Sequence, residues 1–368
     1  MRRRHEATRN SRAGAGIVAV ATMLWAVLVF GYNTFQENLG TVTAPDPVAP
    51  RWAVMPVTWL LNASTPSNNV SNADCSGSLA TCIEESLAAG FTNWSGAAVT
   101  IGNTQQKLTD LTVTYSGSST LTTPNYQDCQ NVLGFSDTTS GDFPTGTIAF
   151  TQVATITQPV GTTGSFQYQC SGGVVKTCNL PACMTDADIE FNPSIDFSTS
   201  LTPASGIFSL QSVATHEEGH LLGLDHSGIG HSVMFPFGDT ESAGQQIQLW
   251  MDDAIGISFL YPSADFSTAT GVISGTVTLS SGIFAAHVIA VNATTGEAVT
   301  DGLTAPDGTY NLVGVPPGNY YVLALPLAPN AGSGILTLDN FSGWECGYAD
   351  SACTTVPQNP TSYTGRYH

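Results

Sequence analysis

Three histidines and a glutamate fall within eleven residues near the middle of the chain, in His216-Glu-Glu-Gly-His220-Leu-Leu-Gly223-Leu-Asp-His226. Positions four apart lie on one face of an α-helix, so His216 and His220 can direct two imidazoles at one ion. A third ligand cannot easily come from the next turn of the same helix. Gly223 permits a sharp change of backbone direction, after which His226 can return from the following loop. The spacing therefore predicts a zinc site of three histidines with a fourth position left for water.

Glu217 follows the first of these histidines and is predicted to face the same cleft. It can accept a proton from water that the metal has acidified and pass it to a leaving amine, so no side-chain nucleophile is required. Glu218 lies on a different face of the helix and is predicted to be solvent-exposed or structural. His231 is interpreted as an exposed loop histidine, with contact to substrate or metal as the weaker alternative.

Helices and strands with clear periodicity surround this stretch. The motif itself lies on a predicted helix over 212–224 that Gly223 should end. A second helix is predicted over 245–260, because Tyr261-Pro262 stops it. Apolar positions over 83–94 recur at helical spacing and predict one buried face. Strands are predicted at 54–62, 111–115, 146–154 and 187–191.

The pattern His-Glu-x-x-His-x-x-Gly-x-x-His is the metzincin signature, and its surroundings resemble the matrixin branch of that family. Ser227 follows the third histidine, as it does in matrixins. Met234, eight residues after His226, is similar to the Met-turn methionine that forms an apolar floor beneath the metal. Residues 249–262 resemble the closing helix of the family, and 187–191 resemble the strand that borders the substrate cleft.

This resemblance covers roughly residues 51–262 and implies an α+β metzincin catalytic domain over 51–265, with a twisted, mostly parallel sheet and an active-site helix. It implies one catalytic zinc and hydrolysis of internal peptide bonds in a protein or peptide substrate. No Pro-Arg-Cys-Gly segment is present, so latency through a cysteine switch is not expected. The stretch between Phe191 and His216 lacks the Asp/Gly/His-rich sequence that holds structural zinc and calcium in the family. Carboxylates could bind Ca²⁺, but no motif supports such a site.

The eight cysteines are an even number and include no Cys-x-x-Cys pair, which disfavours a thiolate zinc site. Disulfides are predicted in preference to reactive thiols, given an oxidising compartment. Cys75 with Cys82, and Cys346 with Cys353, could close short loops. The remaining four would form two more bridges of open connectivity: Cys129, Cys170, Cys178 and Cys183.

The first 35 residues have the pattern of an export signal. Several arginines precede an apolar run over 15–30, as in the charged and hydrophobic regions of a secretory signal peptide. No Ala-x-Ala site follows within reach, so a retained N-terminal membrane anchor is the alternative. Residues 36–50 are interpreted as a linker. The expected location is extracellular or in the cell envelope.

Beyond residue 270, short strands alternate with turn signals such as Asp307-Gly308 and Pro317-Gly318. This pattern resembles the carboxypeptidase regulatory-like module and predicts a small all-β sandwich over 270–328. Such modules are spacers or bind surfaces and partners. Residues 329–368 are interpreted as a tail with one disulfide.

The sequence thus predicts a secreted or envelope-exposed zinc metalloendopeptidase. The competing interpretation is a surface binding or adhesion protein whose zinc domain has lost catalysis. With a formal net charge of −19, nucleic acid is excluded as an expected partner because the charges repel.

Overall fold

The computed structural model describes residues 33–62, 69–72, 74–121, 125, 127–135, 143, 146–159, 163–238, 246–279, 283–329, 335–350, 353, 357 and 366–367. Within these ranges, no helix combines the length and the apolar character needed to cross a membrane. The apolar run predicted as a signal peptide or anchor, 15–30, lies outside the described residues.

The first half of the chain is mainly strands with one long helix. In chain order, the elements are β1 (Glu37–Asn38), β2 (Pro47–Val48), β3 (Val57–Asn62), β4 (Val70–Ser71), α1 (Leu79–Ser95), β5 (Val99–Ile101), β6 (Thr104–Gln106), β7 (Val113–Ser119), β8 (Val132–Phe135), β9 (Ala149–Thr157), β10 (Phe166–Gln169), β11 (Val175–Cys178) and β12 (Ala182–Phe191).

The second half begins with the motif-bearing helix and ends in short strands and helical turns. Its elements are β13 (Phe197–Ser198), β14 (Phe208–Ser209), α2 (Leu210–Leu221), α3 (Met251–Leu260), α4 (Phe266–Ala269), β15 (Gly271–Thr276), β16 (His287–Asn292), β17 (Ala298–Leu303), β18 (Thr309–Val315), β19 (Tyr320–Leu325), α5 (Ser342–Glu345) and β20 (Arg366–Tyr367), with 3-10 turns at Leu338–Phe341 and Cys346–Tyr348.

The central sheet has the strand order β7-β3-β8-β12-β9. Strand β3 runs parallel to β7 and β8, and β12 runs parallel to β8. Only β9, at one edge, pairs antiparallel, with β12. The predicted α+β domain with a mostly parallel sheet is therefore present.

Helix α1 packs its apolar face between the sheet and α2. Ser78 caps its first turn by accepting the Thr81 N–H, and Phe91 stacks on Trp59 of β3 with ring centroids 5.3 Å apart. Trp94 is fully buried, and its Nε1 donates to the Thr215 carbonyl of α2 over 2.8 Å. This bond fixes the motif-bearing helix against α1.

Two predicted helices differ in their bounds from the structure. Helix α2 spans Leu210–Leu221 rather than 212–224, because the chain already turns at Gly223. Helix α3 begins at Met251 rather than 245, because the Asp253 carboxylate accepts the Trp250 N–H and caps the first turn there.

Residues 33–50 are packed, although the Pro-rich composition of 36–50 suggested a linker. Strand β1 pairs with β2 as a hairpin, the Phe35 N–H donates to the Gly223 carbonyl over 3.0 Å, and the Asp225 N–H donates to the Asn33 carbonyl over 2.8 Å. The hairpin pairing and the two hydrogen bonds to the loop that carries the third histidine hold this segment in place.

All eight cysteines form disulfides. The two short loops pair as predicted, Cys75 with Cys82 and Cys346 with Cys353. The remaining bridges are Cys129–Cys170 and Cys178–Cys183.

The region after α4 forms two small antiparallel sheets, β15-β18 and β17-β16-β19-β20. Side chains from both sheets share one apolar cluster that includes Val288, Leu312 and Val322. Its identification with the carboxypeptidase regulatory-like module stays a prediction. The turns after residue 335 carry Phe341, Trp344 and Tyr348, which pack on Phe284 in a second cluster.

Candidate metal centre

Helix α2 places two of the three motif histidines on one face. The Ser209 hydroxyl caps the helix by accepting the Ser212 N–H over 3.4 Å. His216 and His220, one turn apart, are buried, and their ring centroids lie 4.8 Å apart. The helical geometry thus brings the two imidazoles together, as their spacing predicts.

Gly223 turns the chain so that the third histidine joins them. Its φ of +104° lies in the region that glycine tolerates and other residues rarely adopt. The His226 ring then lies 5.3 Å from the His216 ring and 4.7 Å from the His220 ring, centroid to centroid. Each histidine offers one candidate ligand atom, and these three atoms all lie within 4.8 Å of one another.

Each imidazole is oriented by a main-chain carbonyl on its far side. Nδ1 of His216 lies 2.7 Å from the Val233 carbonyl, Nδ1 of His220 lies 2.8 Å from that of Leu224, and Nδ1 of His226 lies 2.5 Å from that of Asn340. A carbonyl only accepts, so each Nδ1 carries a proton, and in the neutral form of the ring Nε2 then carries the lone pair. Three buried imidazoles that offer Nε2 lone pairs in their neutral form fit a zinc ion.

Glu217 is fully buried and is held by the edge strand β9. The Thr151 hydroxyl lies 2.7 Å from Glu217 Oε2 and 3.0 Å from the Glu217 carbonyl oxygen, and can donate its single proton to either. The carboxylate is therefore fixed beside the histidine cluster by a strand distant in sequence.

Met234 packs against α2, and its assignment as the Met-turn methionine stays a prediction. It is fully buried, and a Cβ added to Gly219 would approach its Sδ to 2.2 Å. The turn that carries it is fixed by Asp253, whose carboxylate accepts the Ser232 hydroxyl at 2.5 Å and the N–H groups of Val233 and Met234. Burial raises the pKa of Asp253 to about 6, although these donors lower it.

Ser227 links the histidine loop to two buried carboxyls. Its hydroxyl donates to Asp252 Oδ2 over 2.5 Å, and the next residue, Gly228, donates its N–H to Asp301 Oδ2 over 2.7 Å. Burial raises the pKa of Asp252 well above its ordinary value, and the neighbouring Asp301 adds to the effect. The loop is thus held by α3 and by β17.

A pocket of about 290 Å³, including the part open to solvent, lies beside Glu217. Apart from His216 and Glu217, its walls are largely apolar, and they include Ile148, Val213, Phe235 and Pro236. A largely apolar pocket next to a buried carboxylate can accommodate an apolar side chain.

Glu218 was predicted to be solvent-exposed or structural, and the prediction of exposure is wrong. It is fully buried against α1, where a Cβ on Gly90 would meet Oε2 at 2.2 Å. Burial raises the pKa of its carboxyl well above the ordinary value. His231 is exposed and stacks on Trp250 at 5.1 Å, in agreement with its interpretation as a loop residue.

Sequence reasoning missed four residues at this centre: Phe35, Thr151, Asp225 and Asn340. Phe35 stacks on the His220 ring at 5.6 Å, and Asp225 Oδ1 accepts the His226 N–H over 2.8 Å. Adjacency to His226 was a signal for Asp225. No local pattern marks the other three, because folding alone brings them to the motif.

The model of one protein family, Matrixin, matches residues 57–262. Individual relatives match shorter segments. The chain is 42% identical over 77 residues to metalloendoproteinase 2-MMP of Arabidopsis thaliana, covering 21% of this chain and 19% of that protein. It is 35% identical over 99 residues to metalloendoproteinase 1 of Glycine max, covering 26% and 31%.

Stromelysin-3 of Xenopus laevis is 36% identical over 91 residues, covering 24% of this chain and 18% of that protein. The chain therefore aligns with less than a third of the length of these relatives. The names of the two plant relatives describe metalloendoproteinases.

Proposed function

Because this chain belongs to the matrixin family, we propose that it is a zinc-dependent endopeptidase that hydrolyses internal peptide bonds of proteins. The observation that carries the proposal is the convergence of His216, His220 and His226 beside the buried Glu217. Three neutral imidazoles leave room for a fourth ligand, which is the arrangement of catalytic rather than structural zinc.

When bound, zinc would supply Lewis acidity, which lowers the pKa of water and polarises a carbonyl group. The side chains and carbonyl groups of the protein contribute the proton transfers and the positioning of the reacting groups. Glu217 takes a proton from the attacking water and delivers it to the leaving amine nitrogen. Thr151 holds the rotamer of Glu217, so the carboxylate is positioned before substrate arrives. The carbonyls that face Nδ1 of the three histidines fix the ring orientation and select the neutral tautomer in which Nε2 can bind a metal.

The substrate is proposed to be an extended polypeptide with an apolar side chain close to the cleaved bond. Strand β9, which carries Thr151, is the edge of the central sheet, and edge strands can pair with an added peptide strand. The apolar pocket beside Glu217 would receive the side chain. Phe235 and Gln246, on either side of a segment outside the described residues, help to form its walls.

The location is proposed to be outside the cytoplasm, secreted or exposed at the cell envelope. Four disulfides support an oxidising compartment. The arginine-rich start followed by the apolar run 15–30 supports export, with a signal peptide or a membrane anchor as its form. We propose one protease unit over 51–265, followed by a module over 270–328 that binds a surface or partner.

Glu217→Gln tests the proposal. We expect wild-type protein to hold one zinc per chain and to cleave unfolded casein. The variant should keep the zinc and lose at least about 10²-fold in kcat/KM, since a general base contributes that much or more. Glu297→Ala, at an exposed glutamate, is the matched control and should match wild type.

Metal analysis and cleavage assays together separate the outcomes. If wild type binds zinc but cleaves no better than Glu217→Gln, the protein is a non-catalytic zinc-containing binding or adhesion protein. If His226→Ala leaves zinc affinity unchanged, the ligand set is wrong.

A further inference from the structure

We infer that residues 335–350, outside the matrixin match, position the third histidine and so complete the metal centre. This inference rests on the zinc site proposed above but not on peptide hydrolysis. It assigns the C-terminal region a part in metal binding, in addition to any role as a spacer or binding module.

The acceptors behind the three imidazoles come from different parts of the chain. Those of His216 and His220 are carbonyls of Val233 and Leu224, within residues 57–262. That of His226 is the Asn340 carbonyl, 2.5 Å from Nδ1. The tautomer and ring orientation of one ligand in three therefore depend on a distant segment.

The Asn340 carbonyl is held by a local capping arrangement. The Thr337 N–H donates to Asn340 Oδ1 over 2.9 Å, and the Asn340 N–H donates to the Thr337 carbonyl over 3.1 Å. The adjoining Phe341 and Trp344 are fully buried, and Trp344 stacks on Phe284 at 5.5 Å. The turn cannot shift without disturbing this apolar cluster.

Asp225 joins the turn to the histidine loop. Its Oδ1 accepts the His226 N–H over 2.8 Å, and its Oδ2 accepts the Trp344 N–H over 2.6 Å. One buried carboxyl thus fixes the backbone of the ligand and the backbone of the segment that orients the ligand's ring.

The N-terminal hairpin also donates hydrogen bonds to the segment 335–350. The Gln36 N–H donates to the Gly343 carbonyl over 2.9 Å, and Asn38 Nδ2 donates to the Ala349 carbonyl over 2.8 Å. Phe35, between these contacts and the metal centre, stacks on His220. The segments before and after the protease unit therefore both contact the histidines of the metal centre.

Removing an outer hydrogen-bond partner of a metal ligand lowers metal affinity by about 10- to 100-fold in typical sites. Asp225→Asn should have an effect of this size in the full-length chain. The asparagine has one acceptor oxygen for two opposed N–H donors, so the ligand backbone and the turn lose their common anchor. Asn340→Ala, which removes only the local cap, should weaken binding severalfold.

The test measures Zn²⁺ affinity by competition with a chromophoric chelator, and the visible absorption spectrum after Co²⁺ substitution. Asp339→Asn, at an exposed side chain in the same turn, is the control. We expect both test variants to bind Zn²⁺ more weakly and to show shifted cobalt bands at temperatures where they are folded by circular dichroism. The control should match wild type in both measurements.

Unchanged affinity and cobalt spectrum in folded Asp225→Asn and Asn340→Ala would overturn the inference, even if their melting temperatures fell. Should Asp225→Asn not fold, Asn340→Ala decides on the same two readouts. Wild type that binds no zinc would overturn this inference together with the proposed function. Wild type that binds zinc without cleaving protein would overturn only the peptidase proposal.

Discussion

At the scale of single residues, the Thr151 hydroxyl determines how well Glu217 is placed for proton transfer. Thr151→Val keeps the shape of the side chain but removes the donor 2.7 Å from Oε2. We expect kcat to fall about tenfold, corresponding to a hydrogen bond of about 1.4 kcal/mol, with a small change in KM. Steady-state hydrolysis of a fluorogenic peptide measures both.

Thr157→Val, in the same strand, is the control for Thr151→Val and should leave both constants near wild type. A Thr151→Val enzyme with unaltered kcat would show that Glu217 is oriented without this hydroxyl.

The four missed residues show what a motif can and cannot specify. His216, Glu217, His220 and His226 are fixed relative to one another by helical rise and by the turn at Gly223, so spacing alone predicts their grouping. Thr151 and Asn340 contribute through contacts that depend on sheet order and chain packing. Such contacts have no periodicity and no short motif.

The buried carboxyl of Asp186 makes stability depend on pH. Burial raises its pKa to about 9, with Asp188 adding repulsion, although the Cys129 N–H lowers it. The folded chain therefore retains a proton that the unfolded chain releases from its ordinary pKa of 3.8. This contribution to stability is present below about pH 4 and is lost as pH rises through about 9.

Asp186→Asn should remove this loss, because an amide stays neutral and still accepts the Cys129 N–H. We expect the variant to gain stability relative to wild type between pH 5 and pH 9, by up to about 1.4 kcal/mol per pH unit. Urea unfolding at several pH values gives the difference. Asp110→Asn, at an exposed carboxyl, should show no such trend. A constant difference across this range for Asp186→Asn would contradict the prediction.

At the scale of elements, Gly219 permits α2 to lie close to α1 and to the Met-turn. A Cβ there would lie 2.2 Å from Met234 Sδ and 2.8 Å from Trp94 Cζ2. Gly219→Ala should therefore destabilise the fold by about 1–3 kcal/mol through overpacking, despite the higher helix propensity of alanine. The free energy of unfolding in urea provides the measurement.

Gly230→Ala is the matched control for Gly219→Ala, because a Cβ at Gly230 meets no heavy atom within 4 Å. It should change stability little. If Gly219→Ala were as stable as this control, the close contact between helix and Met-turn would not constrain the fold.

The elements of the protease unit were easier to predict than their connections to the rest of the chain. Helix α1 follows from apolar residues at helical spacing, and its buried side chains include Leu87, Phe91 and Trp94. The start of α3 depends on Asp253, whose capping role requires the fold around it. Composition alone suggested a linker at 36–50. A Pro-rich segment that packs against the protein has the same composition as one that does not, so sequence cannot separate the two.

At the scale of the whole molecule, the protease unit and the sheets after residue 270 share a buried polar contact. Asp301 on β17 accepts the Gly228 N–H at 2.7 Å and pairs with His287 Nε2 at 2.6 Å. Its own N–H donates to Asp252 Oδ1 on α3 over 3.1 Å. Close backbone packing accompanies this contact, since a Cβ on Gly314 of β18 would lie 2.7 Å from Ile255 of α3.

Two units joined in this way should unfold together. Wild type is expected to show one calorimetric transition that coincides with the loss of tryptophan fluorescence. Asp301→Ala leaves the buried His287 Nε2 without its hydrogen-bond partner and the Gly228 N–H without its acceptor, so it should cost about 1–3 kcal/mol for each group left unsatisfied. Because the lost bonds join the two units, we expect the transition to broaden or divide.

The double variant Asp301→Ala with His287→Ala tests whether the cost arises from the pair. Removing both partners eliminates the stranded imidazole, so the double variant should be more stable than the sum of the single losses predicts. Glu297→Ala, exposed in the loop between β16 and β17, is the control and should unfold as wild type does. If Asp301→Ala unfolds in one transition at the wild-type temperature, the two units are coupled by apolar packing alone. The buried carboxyls between them would then serve the histidine loop and not the cohesion of the molecule.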